Sequence, residues 1–374
     1  MTRLAFLLAI ALALMLWAGG RSRQTVTHPL ATTSLELGKL AEVNSNPTEW
    51  HTPGMQIYRD AGYRWVCLRI PSGIQKDWKN TLSKESQASL ESFEVGIHSA
   101  KNSNLRVAVD MEIPTGVSAE GGRLSSAWSA HLGELARRLR GKVDVWKLAL
   151  PANQQPSVES LRTSAEAIKS ADPSASVLLA IKVADLLQEN PLHPGITAHL
   201  DAVGLVIAGE TFNSAEIETS IRSVRAEDNH IPVWVFLPQS SARNASQAAK
   251  VFSILAYNGV SAAFMDIPAD IPDASGRADS LFRLLTLEPN YRGLASSTNG
   301  HHLHLFKSGS KTVAVAWTDN APRKFEFTSP GKVYLEKPDG TRSEFSGGQT
   351  VQYTLGHDPV IIAGPGGWTP EGIH

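Results

Sequence analysis

The sequence predicts a (β/α)8 TIM barrel that is followed by a small all-β sandwich domain. Short apolar runs alternate with longer segments of helical period almost as far as Leu287, which is typical of parallel strands joined by crossover helices. From His301 to Ala363 the apolar residues instead alternate along short runs separated by tight turns. With 374 residues, of which 42% are hydrophobic, the chain can bury a barrel-sized core and a second, smaller one.

The N-terminal segment has the parts of a secretory signal peptide. A basic start at Arg3 precedes an apolar run from Leu4 to Trp17 and the small residues Ala18 to Gly20, so residues 1–20 are the expected signal and 21–33 a polar linker. The apolar run is short for a stable membrane anchor, although an uncleaved anchor is the alternative. We therefore expect an exported protein, periplasmic or extracellular.

Charge and cysteine content limit the possible partners and cofactors. A formal net charge of -1 provides no basic stripe for phosphates, which argues against nucleic acid and favours a neutral partner such as a carbohydrate. Cys67 is the single cysteine in the sequence, so an internal disulfide is excluded, and its apolar neighbours predict a buried, unreactive thiol. No Gly-x-Gly-x-x-Gly follows the first strand, which disfavours a doubly wound open sheet, and we expect no cofactor.

The barrel is predicted over residues 34–288, from eight candidate strands. They are Leu35 to Lys39, Trp65 to Ile70, Leu105 to Met111, Val143 to Leu148, Ser176 to Ile181, Ala202 to Ile207, Pro232 to Phe236 and Ala262 to Asp266. Between them, Ser83 to Ser103 and Ser125 to Leu139 carry apolar residues at helical spacing. Turn residues at Gly62, Asp172-Pro173 and Asn258-Gly259 lie just before strands, as expected at the bottom of a barrel.

The sandwich is predicted over residues 291–366, with a boundary near Leu287 to Tyr291 and a tail at 367–374. Seven short strands are expected: His301 to Lys307, Thr312 to Trp317, Arg323 to Thr328, Lys332 to Lys337, Thr341 to Phe345, Thr350 to Thr354 and Pro359 to Ala363. Ser308-Gly309 and Pro338-Asp339-Gly340 are hairpin signals between them.

Short motifs in both domains carry a family resemblance. Tyr63 to Val66, Val143 to Trp146, Asp201 to Leu205 and Pro232 to Val235 are the motifs of the barrel; Val313 to Thr318 and Asp358 to Val360 are those of the all-β domain. The barrel motifs resemble strands two, four, six and seven of the clan A glycoside hydrolases, and the others resemble the sandwich that follows the barrel in several families of that clan. The resemblance implies a cleft that accommodates a saccharide at the carboxyl ends of the strands.

The same resemblance indicates that the catalytic glutamates are replaced. Clan members carry Asn-Glu-Pro after strand four, with the glutamate as acid/base, and a glutamate nucleophile ending strand seven, the two carboxyl groups lying about 5–5.5 Å apart. Here Leu150 and Pro151 fall at the Asn-Glu positions, and Leu237 falls at the nucleophile. Cys67, or alternatively Arg69, falls where the clan often has an arginine that orients the nucleophile. Because Pro151 and Leu237 can neither transfer a proton nor attack a sugar, hydrolysis through these positions is not expected.

Carboxylates at other strand ends are fallback candidates for a relocated acid pair. They are Asp110, Glu112, Glu210 and Asp266. Asp110 and Glu112 lie two apart on a strand, so their side chains are expected on the same face. The alternative is that these carboxylates cap helices or bind neighbouring backbone amides.

Candidate ligand-binding residues lie at strand ends or in the loops that follow, where barrels place functional groups. They are Trp50, Arg69, Trp78, Asn153, Gln154 and Gln239. The neutral amides suit hydrogen bonding to hydroxyls, the alternative being an ordinary solvated loop. The two tryptophans lie in predicted loops and are expected to offer an exposed aromatic platform to a flat sugar face.

The remaining aromatic and histidine residues are expected to be structural. Trp128, Trp146 and Trp234 lie on a helix stripe or inside strands and are expected in the core. His302 and His304 share a face of one strand and are expected to be exposed, and we expect no metal site there.

Three hypotheses follow from the sequence. The first is an exported, inactive glycosidase-like protein that binds a glycan or an envelope partner in the barrel cleft. The second is an active hydrolase that uses relocated carboxylates. The third is an interaction scaffold whose cleft is filled because Leu150, Pro151 and Leu237 pack against one another.

Overall fold

The computed structural model describes residues 34–42, 52–79, 83–114, 117, 123–150, 157–188, 190–207, 212–237, 245–265, 281, 284–285, 290–296, 300–328, 331–366, 368 and 370. The first eight strands close into a parallel barrel in chain order, with β1 paired to both β2 and β8. They are β1 Glu36–Glu42, β2 Trp65–Arg69, β3 Arg106–Glu112, β4 Val145–Ala149, β5 Ser176–Lys182, β6 Ala202–Val206, β7 Val233–Phe236 and β8 Ala262–Phe264. The predicted barrel is confirmed.

Helices cover the outside of the barrel. They are α1 Thr52–Asp60, α2 Ser72–Lys76, α3 Lys84–Asn102, α4 Arg123–Arg138, α5 Val158–Ala171, α6 Val183–Gln188, α7 Pro194–Thr197, α8 Ser214–Glu227 and α9 Ala245–Tyr257, with a 3-10 turn at Asp77–Lys79. Helix α3 begins after Ser83 because the Ser83 hydroxyl accepts a hydrogen bond from the Ser86 amide at 3.1 Å. Within the described residues, no helix is both long enough and apolar enough to cross a membrane.

The barrel interior is filled by alternating large and small residues. Its buried side chains are Trp65, Cys67, Ala108, Val145, Leu178, Ala180, Ala202, Trp234, Phe236, Ala262 and Phe264. A Cβ at Gly38 would lie 2.4 Å from the Phe264 ring, and one at Gly204 would lie 2.8 Å from the Phe236 ring. These glycines are therefore required for the rings to fit, and the barrel is a packed core below its mouth.

Two aspartates bind neighbouring strands at the amino-terminal end of the barrel. The Asp144 carboxylate, just before β4, accepts a hydrogen bond from the Val107 amide of β3 at 2.7 Å and pairs with a lysine at the end of α3. The Asp201 carboxylate, just before β6, accepts from the Val177 amide of β5 at 2.8 Å and pairs with a lysine of α5. The same contact thus joins β3 to β4 and β5 to β6.

The C-terminal strands form two antiparallel sheets. They are β9 Asn290–Ser296, β10 His301–Ser308, β11 Lys311–Thr318, β12 Arg323–Thr328, β13 Val333–Glu336, β14 Arg342–Phe345, β15 Thr350–Leu355 and β16 Val360–Pro365. Six of them form a sheet in the order β14-β13-β16-β11-β10-β9, and β12 pairs with β15. All seven predicted strands are present, and β9 is additional. Its irregular pairing with β10 and the positive φ of 124° at Gly293 explain why no alternation marked it.

The two faces of the six-stranded sheet pack in two different hydrophobic cores. Alternate residues such as Leu303, Ala316 and Ile362 pack with the β12/β15 pair inside the sandwich. The residues between them belong to the same hydrophobic cluster as the barrel's helix layer. Phe306 of β10 lies 5.8 Å, centre to centre, from the ring of Phe252 in α9. The all-β domain therefore shares a core with helix α9.

Candidate functional site at the barrel mouth

Three charged side chains lie side by side at the carboxyl ends of β2, β3 and β4. Arg69 is in register with Asp110, and Asp110 is in register with Lys147. The residues two positions earlier on these strands are interior residues of the barrel. Because side chains alternate along a strand, Arg69, Asp110 and Lys147 face the interior as one layer at the mouth.

This layer is an ion-pair network centred on Asp110. The Lys147 Nζ lies 2.8 Å from the Asp110 Oδ2, and the Arg69 Nε lies 3.8 Å from the same oxygen. The side chains of Lys147 and Asp110 are 7% and 11% exposed, whereas that of Arg69 is 63% exposed. The Lys147 ammonium also lies 4.5 Å from the centre of the Phe236 ring. The Asp110 carboxylate is thus committed to a buried ion pair rather than available to a ligand.

Aromatic residues form the opposite side of the mouth. The rings of Phe236 on β7 and Phe264 on β8 stack with their centres 4.6 Å apart at 17°. Both are buried, with the half-buried Leu40 and Val206 packed against the same interior cluster. The described mouth therefore has charged groups at the ends of β2 to β4 and buried aromatic rings at the ends of β7 and β8.

The residues that the sequence resemblance assigned to the Asn-Glu and nucleophile positions are aliphatic and face away from the interior where they can be described. Leu237 is 1% exposed and belongs to the helix-layer core, and its amide donates to the Phe264 carbonyl at 2.8 Å. Leu150 is half-buried against the same core, and Pro151 lies outside the described residues. Within the described residues, the inner face of β7 ends in Phe236 rather than a carboxylate.

Of the other predicted site residues, the structure describes only some. Glu112 ends β3 and is exposed, two residues after Asp110 as predicted. The remaining fallback acids and four ligand-binding candidates lie outside the described residues: Glu210, Asp266, Trp50, Asn153, Gln154 and Gln239.

The exposed position expected for Trp78 was wrong. Trp78 lies in the 3-10 turn after α2 and is 8% exposed, with its ring edge-to-face on Trp128 at 6.2 Å. The turn places the Trp78 side chain against α4. The segment is too short to show an apolar periodicity, so the sequence did not predict this burial. Trp128, Trp146 and Trp234 are buried, which confirms their predicted place in the core.

Two further predictions concern titratable groups in buried positions. Cys67 is buried, as predicted, and burial raises the pKa of its thiol to about 12. His304 was expected to be exposed, and this was wrong: it is buried between β9, β11 and α9. Burial, followed by the charge of His302, lowers the pKa of His304 to about 3.

Lys147 is the member of the charged layer to which sequence reasoning assigned no role. It lies in the otherwise apolar run from Val145 to Ala149, and a charged residue inside such a run was the available signal. Its partner could not be identified because that requires the register of β3 against β4.

Comparison with known proteins shows the fold. No family model matches the sequence, and no curated protein sequence matches it. A family 39 glycoside hydrolase from the gut symbiont Bacteroides cellulosilyticus WH2 superposes with a TM-score of 0.61 at 11% identity, over 88% of this chain and 80% of that one. A family 5 glycoside hydrolase from Bacteroides vulgatus ATCC 8482 gives a TM-score of 0.53 at 14% identity, over 90% and 92%. The chain therefore has a glycoside hydrolase-like fold, as predicted, and at these identities the likeness carries no activity with it.

Proposed function

We propose that this chain is an exported glycoside hydrolase-like protein that binds a carbohydrate at the barrel mouth without hydrolysing it. The observation that carries the proposal is the buried Asp110–Lys147 ion pair at 2.8 Å, which occupies a carboxylate that faces the interior in the described part of the mouth. Hydrolysis of a glycoside requires a proton donor and a facing carboxylate, and Leu237 provides neither.

The composition of the mouth supports a saccharide as the ligand. A pyranose presents several adjacent hydroxyls, and the mouth has charged groups on β2 to β4 above the buried rings of Phe236 and Phe264. Arg69 is the most accessible member of the charged layer, with 63% of its side chain exposed. A guanidinium donates several hydrogen bonds in a fixed plane, which suits adjacent hydroxyls.

The exported location is part of the proposal. It is supported by the basic, apolar and small-residue segments before Arg21. Expression of the full chain in a bacterial host, followed by mass spectrometry of the secreted and periplasmic fractions, tests it. We expect a mature chain that begins near Arg21, and a product retained in the cytoplasm with its first residues intact would contradict this.

A paired assay of binding and turnover tests the function. The purified mature chain is screened against a glycan array and, in parallel, against aryl glycosides and polysaccharides. We expect binding without turnover, and binding weakened at least about tenfold by Arg69→Gln, the loss of about 1.4 kcal/mol from a charged hydrogen bond. The matched control is Arg222→Gln, which removes an exposed arginine from helix α8 on the outside of the barrel.

Each other outcome of this assay contradicts the proposal. Turnover that is abolished by Glu112→Gln or Glu210→Gln would establish relocated catalysis instead. Binding to no glycan, or equal loss with Arg69→Gln and Arg222→Gln, would favour the interaction scaffold.

A further inference from the structure

Helix α9 meets the six-stranded sheet through titratable groups as well as apolar ones. The Ser246 hydroxyl donates to the Pro359 carbonyl at 2.8 Å. The Lys250 ammonium lies 2.9 Å from the Asp319 Oδ1, and the Asp319 Oδ2 lies 2.8 Å from the His302 Nε2. One carboxylate therefore joins a lysine of α9 to a histidine of β10.

A second histidine lies deeper in the same layer. The rings of His302 and His304 both stack on the buried Trp317, with centres 4.6 Å and 4.9 Å from it. The His304 Nδ1 lies 3.0 Å from the Tyr291 hydroxyl, and its Nε2 is buried without a hydrogen-bond partner in the described structure. His304 is 2% exposed, so a proton on this ring would be a buried charge.

Among the residues that the structure describes, the titratable groups that face His304 offer little to balance such a charge. They are Tyr291 on β9, His302 on β10 and Tyr257 on α9, whose ring contacts His304 edge-on at 5.8 Å. The nearby Asp319 carboxylate is already shared by His302 and Lys250. A protonated His304 would therefore have a histidine rather than a carboxylate as its ionisable neighbour on the strand.

We propose that the contact between α9 and the six-stranded sheet is an acid-sensitive joint, which opens when His304 takes up a proton. Opening exposes His304, Trp317 and the apolar face of β10 that includes Phe306. This inference goes beyond the proposed binding function and does not depend on it. Helix α9 follows β7 in the sequence, so the joint connects the all-β domain to the helix layer of the barrel.

The direction of the pH dependence follows from linkage. The pKa of His304 is lowered from 6.5 to about 3 in the closed joint, so the closed form is favoured at neutral pH. That advantage decreases as pH falls below 6.5 and is lost by about pH 3, because the open form binds the proton first. The opening constant should rise about tenfold for each pH unit in this window, or about a hundredfold between pH 7 and pH 4.5.

Hydrogen exchange of the full chain, measured by mass spectrometry at these two pH values and corrected for intrinsic rates, tests the joint. We expect peptides from α9, β10 and β11 to exchange about a hundredfold faster in acid, while strands β2 to β5 of the barrel change little. His304→Asn should remove this acid dependence, since its amide can replace Nδ1 opposite Tyr291 and does not titrate. The matched control is His302→Gln, which removes the more exposed histidine of the same layer and should leave the acid dependence in place.

Three results would overturn the proposal. They are unchanged exchange of α9 and β10 in acid, the same acceleration in His304→Asn as in the natural sequence, and parallel acceleration of the barrel strands, which would indicate global unfolding. If His304→Asn does not fold, His304→Gln, which places its amide nearer the Nε2 position, is measured in the same way.

Discussion

At the scale of single residues, the central feature of the barrel mouth is the buried Asp110–Lys147 ion pair. Removing one partner leaves the other as a buried, unpaired charge. We predict that Asp110→Asn lowers the free energy of unfolding by about 3–5 kcal/mol, measured by urea denaturation at neutral pH. Asp110→Leu combined with Lys147→Met should recover most of the loss. A change below about 0.5 kcal/mol in Asp110→Asn would show that the pair is not buried as described.

A second residue-scale prediction concerns the fit of Phe264 over Gly38. Gly38→Ala places a Cβ 2.4 Å from the Phe264 ring and should lower the free energy of unfolding by about 1–3 kcal/mol. Adding Phe264→Leu to Gly38→Ala should restore part of the loss by making room. Gly356→Ala, where a Cβ meets no atom within 4 Å, is the matched control. Equal effects of the two alanine substitutions on thermal unfolding would refute the packing account.

At the scale of elements, the aspartates before β4 and β6 fix pairs of neighbouring strands. Asp144→Ala and Asp201→Ala each remove the carboxylate that accepts a hydrogen bond from a strand amide. Each should lower the free energy of unfolding by about 1–3 kcal/mol. The amides of Val107 and Val177 should then exchange faster with solvent, as measured by NMR. Asp60→Ala at the exposed end of α1 is the control, and a comparable effect there would contradict a specific role for the strand contacts.

The elements also show what the sequence could predict and what it could not. Apolar periodicity located all eight barrel strands, because burial of both faces leaves continuous apolar runs. It missed β9, where Gly293 and shifts in register interrupt the alternation. It also misplaced Trp78, whose burial depends on a 3-10 turn folding back onto α4.

The site was harder to predict than the fold for a physical reason. Which charges meet across β2, β3 and β4 depends on strand register, and register is set by the closure of the whole barrel. The sequence therefore placed Arg69 and Asp110 at strand ends, but it could not reveal that Lys147 neutralises Asp110.

At the scale of the whole molecule, the barrel's helix layer and the all-β domain share one hydrophobic cluster. We predict a single calorimetric unfolding transition at neutral pH. Phe306→Ala, which removes a ring from the contact with Phe252, should lower stability by about 3–5 kcal/mol and shift the transition of both domains together. Two separate transitions in the natural sequence at neutral pH would contradict a shared core.

The central claim is that the barrel mouth binds a saccharide and lacks the paired carboxylates needed to cleave it. Saturation-transfer NMR, followed over hours on the mature chain mixed with the oligosaccharides selected by the glycan array, tests both parts in one sample. We expect saturation transfer to the sugar protons with anomeric signals that stay constant. New reducing-end anomeric signals, or the absence of transfer to any sugar, would contradict it.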